Sequence, residues 1–308
     1  MPSAKSPESA ESVQAVFVGA ATYDAIALVD AFPGPDERVV AADVVYAGGG
    51  PAATAAVTAA RLGVSVAFLG TVGADATGRA VLDGLVAEGV DVSGVTVSAV
   101  DATAASVIVV DRVRGTRAIC NRPAPRIDLS AGRHVLTSAQ VVHLDHAGWA
   151  PWRTAMPGGR AVRDQLVSVD AGHAIPGFTP AAVDLFVPTV EALQRSYGHA
   201  STNDLMALAV AEGAHVVVAT DGSRGSSART ALGDTAFAPA HPVDVVSTLG
   251  AGDVFHGALI AAVVRGLPLA QQLTFANITA ALSCRGLDGR SRIPRLDEVL
   301  DAMSTLAR

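Results

Sequence analysis

Residues 243–259 read Val243-Asp-Val-Val-Ser-Thr-Leu-Gly-Ala-Gly-Asp253-Val-Phe-His-Gly-Ala-Leu259, and they contain the most informative pattern in the chain. A β-prone run ends at Val246, a loop with Gly250 and Gly252 follows, and an apolar helix then begins near Asp253. A strand, a glycine-rich loop and a helix N-terminus in this order bind anions, because free N–H groups and the positive end of the helix dipole face the loop. Glycines let the backbone approach a phosphate without a Cβ in the way. The stretch therefore predicts an α/β protein with an anion site at residues 250–252.

Asp253 stands where this helix begins, and two interpretations fit it. A carboxylate at a helix start can simply cap the helix, which contributes about 1 kcal/mol. Beside an anion site it can instead act as a general base, which accepts the proton of an attacking hydroxyl while backbone amides stabilise the transferring phosphoryl group. The motif alone does not choose between these interpretations.

The rest of the chain alternates Val-rich runs with Ala-rich helical stretches. Continuously apolar runs are typical of strands that are covered on both faces. We predict strands at Ala15–Gly19, Val64–Leu69, Val141–Asp145, Leu166–Asp170, Leu185–Val187, His215–Thr220 and Val243–Val246. We predict helices at Pro51–Leu62, Thr77–Glu88, Asn203–Ala211, Asp253–Arg265 and Leu269–Arg285. This order predicts an α/β fold with a doubly wound, mostly parallel sheet flanked by helices.

Two segments, about 23–46 and 104–121, contain β-prone residues and turns but no helix. Such extended pieces do not fit the main sheet, so we predict that they pair with each other as a small sheet outside the core. A small sheet over the mouth of an α/β domain could serve as a lid. Ordinary surface hairpins explain the same composition equally well.

Composition bounds the classes of protein to consider. Half of the 308 residues are apolar, which suffices for the core of a single domain, here residues 15–308. The net charge of -7 argues against a nucleic-acid partner. The polar residues 1–14 are interpreted as a flexible tail without a signal peptide, and no apolar run spans a membrane. Two cysteines without a metal or disulfide pattern favour a cytoplasmic protein.

Residues 247–253 resemble the signature Asp-Thr-x-Gly-Ala-Gly-Asp of the ribokinase-like (PfkB) carbohydrate kinases. Four further segments resemble that family in the same order, namely residues 47–63, 70–78, 220–225 and 275–277. Several ordered matches at compatible spacing are strong evidence where each alone is weak. The run Gly-Gly-Gly-Pro-Ala-Ala-Thr-Ala-Ala and the C-terminal Cys-Arg-Gly-Leu-Asp-Gly-Arg-Ser-Arg-Ile-Pro look similar to the ketohexokinase-like and sulfofructose-kinase-like branch.

The resemblance implies a ribokinase-like fold with a small β-sheet lid and assigns roles to individual residues. Asp253 would deprotonate the acceptor hydroxyl beside an anion hole formed by the amides of Gly250, Ala251 and Gly252. The nucleotide site would be lined by Thr220, Gly222, Gly225 and Asn277. The sugar would be faced by Asp24, Gly48 and Gly49, with Asp145 close by. Without the resemblance, each of these residues outside the glycine loop has an ordinary interpretation as a turn, cap or solvated residue.

The resemblance also implies ATP and Mg²⁺ as cofactors, because magnesium neutralises the charge of the ATP phosphates. Glu191 remains from a family pattern Asn-x-x-Glu that influences magnesium, although Pro188 replaces the Asn. Ser247 replaces the first Asp of the signature. Because a neutral hydroxyl is a weaker cation ligand than a carboxylate, the resemblance does not decide whether a monovalent cation binds. Ala53 stands where many members carry a sugar-binding Asn.

Polar side chains near the expected lid are further candidates. Asn121 could meet a sugar hydroxyl, and an anionic sugar would favour an arginine in its pocket. The candidates for such an arginine are Arg117, Arg122 and Arg153, each of which is more often a surface residue. The cluster His143, Asp145 and His146 suggests a metal, but His146 is expected beyond the strand that carries the other two.

Three functions remain to be weighed. The leading interpretation is a kinase for a small sugar or sugar derivative of ketose type, acting as a homodimer that pairs through the lid, as many relatives do. A nucleoside kinase of the same fold is the second, although few aromatic residues near the lid are available to stack on a base. A non-catalytic binding protein is the third, and the intact Asp253 argues against it.

Overall fold

A computed structural model describes residues 12–306 of the chain. Within these residues, short turns of 3₁₀ helix occur at Pro180–Ala182 and Gly222–Arg224. The strands are β1 (Ala15–Val18), β2 (Thr22–Val29), β3 (Asp43–Gly49), β4 (Val66–Leu69), β5 (Thr71–Gly73), β6 (Thr96–Ser98), β7 (Ala105–Asp111), β8 (Thr116–Arg122), β9 (Val141–Leu144), β10 (Leu166–Asp170), β11 (Leu185–Val187), β12 (Val216–Thr220), β13 (Ser226–Thr230) and β14 (Thr235–Ala238). The α-helices are α1 (Pro51–Arg61), α2 (Ala76–Ala87), α3 (Arg133–Ser138), α4 (Trp149–Ala155), α5 (Val190–Tyr197), α6 (Thr202–Ala211), α7 (Ala251–Val264), α8 (Leu269–Ser283) and α9 (Leu296–Leu306).

The main sheet has eight strands in the order β14-β13-β12-β11-β10-β9-β1-β4. The six strands from β12 to β4 run parallel, and β13 and β14 add an antiparallel hairpin at one edge. The predicted mostly parallel sheet is therefore confirmed. Among the described residues, no helix combines the length and apolarity needed to cross a membrane.

The central strand β1 is buried on both faces. Ala15 and Phe17 pack into a core that includes residues of α1, α7 and α8, whereas Val16 and Val18 pack into a second core with residues of α3, α4 and α6. Because successive side chains of a strand point to opposite faces, a run of four apolar residues needs helices on both sides. The layered arrangement of helices follows directly from this pattern.

A second sheet in the order β3-β2-β7-β8 lies apart from the main sheet, as the segments 23–46 and 104–121 predict. On its inner face, Ile26, Ile108 and Val110 are buried against Leu249 and Leu287. Leu249 directly precedes Gly250, so this sheet, hereafter the small sheet, packs on the glycine-rich loop. Its inner face thereby becomes one wall of the region where the parallel strands end.

The predicted strand Val243–Val246 is wrong. These residues form an irregular extended segment in which the amides of Val246 and Ser247 donate to the carbonyl of Cys284 at the end of α8. Val245 and Val246 are exposed, so these β-branched residues lie in a surface loop and are not covered as strand residues would be. The glycine-rich loop is therefore preceded by an irregular segment and not by a strand. Helix α7 begins at Ala251, two residues earlier than predicted.

The predicted flexible tail, residues 1–14, is described only in part, because residues 1–11 lie outside the described residues. Gln14, the last residue of that segment, is hydrogen-bonded to Ser65 beside the main sheet. Its amide donates to the carbonyl of Ser65 at 2.8 Å, and its side-chain oxygen accepts from the amide of Ser65 at 3.0 Å.

Candidate active site

A cavity of about 820 Å³ lies between the carboxyl ends of the central parallel strands and the inner face of the small sheet. Such ends are the usual position of ligand sites in open α/β sheets. The sequence-predicted residues that line it are Asp24, Gly48, Gly49, Asn121, Arg122, His146, Gly250 and Asp253. The cavity thus brings together residues that are separated by more than two hundred positions in the sequence.

Asp253 lies in the first turn of α7, at the wall of this cavity. Burial raises the pKa of its carboxyl group to about 7, with Asp170 and Asp145 adding to the shift and the cations His256 and Arg290 opposing it. A carboxylate with a pKa near neutrality can accept a proton from a substrate and return it to water, which suits a general base.

The loop before α7 positions backbone amides at the cavity. Gly250 caps the helix in the left-handed conformation, with φ 73°, which favours glycine. The amide of Ala251 donates to the carbonyl of Thr248 at 3.3 Å, so it is less available than predicted for an anion hole. Gly252 is exposed and a Cβ there would meet open space, so a phosphate could approach. First-turn amides have no carbonyl partner one turn earlier, so the amides of Gly252 and Asp253 are the ones available for an anion.

Asp24 on β2 is a second carboxylate at the cavity. Its Oδ2 accepts a hydrogen bond from Oγ1 of Thr22 at 2.9 Å, and its Oδ1 accepts one from the amide of Ser106 at 2.9 Å. Burial raises its pKa although these hydrogen bonds oppose the shift. A carboxylate fixed in this way can accept hydrogen bonds from sugar hydroxyls.

Arg290 is a partly buried cation beside both carboxylates, and sequence reasoning missed it. Its Nη2 donates to the carbonyl of Gly49 at 2.7 Å and its Nε to Oγ1 of Thr54 at 3.1 Å. Burial lowers its pKa to about 10, and the nearby charges of Asp24 and Asp253 oppose that shift. It follows α8 in the chain and folds back onto the junction between β3 and α1, a contact that no local sequence spacing indicates.

Asp145 is not in the lining of the cavity but lies directly behind it, hydrogen-bonded to the lining residues Ala20 and Ala147. Its carboxylate is fully buried and accepts hydrogen bonds from the amides of Ala20, Ala52, Ala147 and Gly148 at 2.8 to 3.2 Å. It therefore joins β1, α1 and the turn after β9, and it positions the cavity wall. The signal that could have revealed this role is the glycine-rich backbone around it, since a Cβ at Gly19 would overlap this carboxylate.

The suggested metal cluster near β9 does not form. Nδ1 of His143 lies 3.0 Å from Oγ of Ser168, and His146 is exposed with its ring against that of His173. Over residues 12–306, no group of three or more His, Cys, Asp or Glu residues is arranged to hold a metal.

The predicted nucleotide residues lie around the turn between β12 and β13 and the end of β14, and they are not among the residues that line the cavity. Gly222 and Gly225 form the turn between β12 and β13, and a Cβ at Gly225 would overlap the carbonyl of Ala238. Asn277 on α8 donates from Nδ2 to the carbonyls of Ala238 and Pro239, at 2.9 and 3.2 Å. Its amide thus holds the end of β14 against α8. Thr220 ends β12 at the same turn.

Glu191 is in the first turn of α5, where its side chain is 80% exposed and pairs with Arg195 at 3.2 Å. A single accessible carboxylate fits Mg²⁺ that is held mainly by phosphates and water, and it does not fit a cage made of protein ligands alone. The hydroxyl of Ser247 accepts a hydrogen bond from the amide of Leu249 at 3.1 Å and is buried. It stabilises the turn before Gly250.

The three candidate arginines occupy different places. Arg122 lines the cavity and donates from Nε and Nη2 to the carbonyl of Thr103 at 2.9 and 2.6 Å. Arg117 reaches from β8 of the small sheet to the glycine-rich loop, where Nη1 donates to Oγ1 of Thr248 at 3.1 Å. The guanidinium of Arg153 lies over the ring of Trp149, away from the cavity lining.

Comparisons with known proteins agree with this geometry. The family model described as pfkB family carbohydrate kinase matches residues 13–295. Ribokinase of Bacillus subtilis is 26% identical over 301 residues, covering 93% of this chain and 98% of its own length. Ketohexokinase of Mus musculus is 28% identical, covering 91% of this chain and 99% of its own length.

A solved ribokinase of Arabidopsis thaliana, complexed with ribose and ATP, superposes with a TM-score of 0.83 at 24% identity, over 95% of this chain and 99% of that one. The fold is therefore that of the ribokinases. Members of this family are ATP-dependent phosphotransferases whose acceptor is a hydroxyl group. Since the family model spans nearly all of the described residues, the chain belongs to the pfkB family of carbohydrate kinases.

Proposed function

We propose that this kinase phosphorylates a small sugar or sugar derivative of ketose type, with Asp253 as the general base. The observation that carries the proposal is the shared cavity, in which the ionisable Asp253 and the hydrogen-bonded Asp24 face the same space. Similarity to a ketohexokinase supports a ketose as the acceptor.

The phosphoryl transfer would need a base, a positioned hydroxyl and stabilisation of the transferring group. Asp24, Gly48, Gly49 and Asn121 would orient the sugar, so that one hydroxyl lies near Asp253. The hydroxyl proton passes to the Asp253 carboxylate as the sugar oxygen forms a bond to the γ-phosphorus of ATP. The bond from that phosphorus to the bridging β–γ oxygen breaks, and ADP leaves with its electrons. The amides at the start of α7 would stabilise the charge on the transferring group.

Magnesium, when bound with ATP, supplies charge neutralisation on the phosphates. Glu191 is the residue that we assign to it, acting directly or through water, because it is accessible and acidic near the turn after β11. The small sheet would exclude water during transfer, since its inner face already forms one wall of the cavity.

A sugar is favoured over a nucleoside by the lining of the cavity. None of the described residues that line it is Phe, Tyr or Trp, whereas a nucleobase is commonly held by aromatic stacking. Carboxylate, amide and hydroxyl groups predominate among the polar lining residues, and these suit sugar hydroxyls.

The proposal is tested by measuring ADP release with ATP, Mg²⁺ and a panel of ketoses, aldoses including ribose, and nucleosides. We expect the highest kcat/KM with a ketose, and the phosphorylated position is then read by ³¹P-coupled NMR. A nucleoside with the highest kcat/KM would replace the proposal with a nucleoside kinase. Tight binding of sugar and ATP without turnover would indicate a non-catalytic binding protein.

A further inference from the structure

His256 and Asp170 form a buried pair beneath the catalytic carboxylate. His256 lies on α7, three residues after Asp253, so the two side chains share one face of the helix. Its Nε2 lies 3.2 Å from Oδ1 of Asp170 at the end of β10. The side chains of His256 and Asp170 are only 7% and 11% exposed, so water screens their charges weakly.

The surroundings of this pair contain an excess of negative charge. The groups that act on Asp253 are the carboxylates of Asp170 and Asp145, the imidazole of His256 and the guanidinium of Arg290. Two carboxylates that share a low-dielectric site cannot both ionise easily, and one of them then keeps its proton. Asp170 is the stronger of the two repulsive neighbours of Asp253, so its charge must be compensated if Asp253 is to accept a proton.

We propose that His256, held by Asp170, is a positioning residue that keeps Asp253 ionised by placing a positive charge beside the two carboxylates. This inference rests on the proposed role of Asp253 as the base. His256 acts through the charge of Asp253 and does not touch the substrate, since it is absent from the described lining of the cavity.

The ionisation of the pair follows from its contacts. Burial opposes protonation of His256, but the charge and hydrogen bond of Asp170, with the charge of Asp253, raise the pKa of the imidazole above its usual value. Burial likewise opposes ionisation of Asp170, yet the charge and hydrogen bond of His256 hold the pKa of that carboxyl below its usual range, helped by the amide of Gly172 at 2.9 Å. Nδ1 of His256 is buried without a hydrogen-bond partner among the described residues. The polar contact of the imidazole is therefore the one that Nε2 makes with Asp170.

His143 offers a matched comparison within the same site. Its ring lies 5.1 Å from that of His256, and it is equally buried. Burial, followed by the charge of His256, lowers the pKa of His143 to about 3. His143 is therefore a neutral ring that packs like His256 without contributing charge.

The test compares the pH dependence of kcat/KM for the wild type, His256→Asn, His143→Gln and the double variant Asp170→Asn/His256→Asn. Asn carries no charge, and its amide nitrogen takes the place of Nδ1 and not of Nε2, so the contact with Asp170 is lost together with the charge. We expect His256→Asn to move the acidic limb of the kcat/KM profile upward by about one pH unit. At a pH below the limb, kcat/KM of the variant should then be about tenfold lower than that of the wild type, and above a pH of about 9 the two should be nearly equal. The double variant should bring the limb back toward the wild type, and His143→Gln should leave it in place. An unmoved limb in His256→Asn, or an equal shift in His143→Gln, would overturn the proposal.

A second measurement does not depend on activity. The ¹⁵N shifts of the histidine rings in the wild-type enzyme report whether one buried imidazole stays charged at a pH of about 8, and His256→Asn assigns that signal. A neutral His256 at that pH would overturn the inference even if the kinase is active. A charged His256 in a protein that phosphorylates no acceptor would instead contradict the proposed function and leave the ion pair intact.

Discussion

Gly49 packs against Asp24 so closely that a Cβ at position 49 would overlap Oδ2 of the carboxylate. The same Cβ would lie 2.6 Å from Oγ1 of Thr22, which donates to that oxygen. The absence of a side chain at position 49 is therefore what lets Asp24 turn into the cavity while staying hydrogen-bonded.

Gly49→Ala should displace Asp24 and weaken sugar binding. We expect KM for the sugar to rise at least about tenfold, with KM for ATP little changed, because about 1.4 kcal/mol of uniform binding corresponds to that factor. Steady-state kinetics with each substrate varied in turn measures this. Gly84→Ala on α2, where a Cβ meets nothing within 4 Å, is the control and should leave both constants unchanged. An unaltered sugar KM in Gly49→Ala would contradict the assignment of Asp24.

Asp253→Asn should abolish turnover and stabilise the fold. We expect kcat to fall by at least about 100-fold, because loss of a positioned base typically costs that much or more. The folded-state pKa is raised to about 7, so folding becomes less favourable as pH rises from the unfolded value through about 7. A neutral amide removes this penalty, and thermal unfolding at pH of about 8 should show a gain on the order of 1 kcal/mol.

The control for Asp253→Asn is Asp244→Asn, which removes an exposed carboxylate from the same segment. It should change neither kcat nor the melting temperature appreciably. Turnover of Asp253→Asn near the wild-type rate would refute Asp253 as the base.

The acidic limb of kcat/KM should report the ionisation of Asp253 in the free enzyme. A base is active only when ionised, and burial raises the pKa of this carboxyl to about 7. We therefore expect activity to be nearly complete at a pH of about 8 and to fall about tenfold per unit below a pH of about 6. A limb below a pH of about 5 would show that Asp253 titrates as an ordinary surface carboxyl and would contradict the assignment.

Gly252 and Gly250 should respond differently to alanine. A Cβ at Gly252 meets open space, so Gly252→Ala should keep the melting temperature while lowering kcat at least about tenfold, because the methyl group crowds an approaching phosphate. Gly250→Ala should lose about 1 kcal/mol of stability, since φ is 73° and the Cβ would lie 2.9 Å from Cα of Gly289. Thermal melts and kinetics of both variants measure the contrast. Equal losses of stability would show that Gly252 is structural.

The outer face of the small sheet should hold two copies of the chain together. Val44 and Tyr46 on β3, and Val107 on β7, expose apolar surface there, on either side of β2. We expect a dimer by light scattering, and Val107→Glu should convert it to a monomer because a charge would be buried in the contact. Val86→Glu, an exposed apolar position on α2, is the control and should stay dimeric. A wild-type monomer at micromolar concentration would contradict the proposed homodimer.

Elements set by local pattern were predictable from the sequence. The run Ala15–Val18 is covered on both faces as its continuous apolarity indicates, and α1 begins at Pro51 and ends just before Gly63, which has φ 80°. The segment Val243–Val246 failed because β-propensity reports a fit to a covered surface, and here α8 offers only one carbonyl and no neighbouring strand.

The charges around Asp253 were not predictable, because they depend on contacts between distant segments. In the sequence, nothing distinguishes His256 from an ordinary polar residue of a helix. Its role depends on Asp170, which the fold brings beside it from the end of β10. In the sequence, Arg290 is one of several C-terminal arginines. Only the folded structure shows that its guanidinium contacts Gly49 and Thr54. Asp145 was expected near the ligand because its strand ends there, yet four backbone amides engage its carboxylate instead.

Within residues 12–306, Gly289 is the last one that lines the cavity, and Arg290 fastens the wall made by Gly49. The wall of the cavity is therefore complete only once the segment that follows α8 has been synthesised and has folded back. Polypeptides released before residue 290 would carry Asp24 beside a loosened wall, and we expect them to bind the sugar poorly.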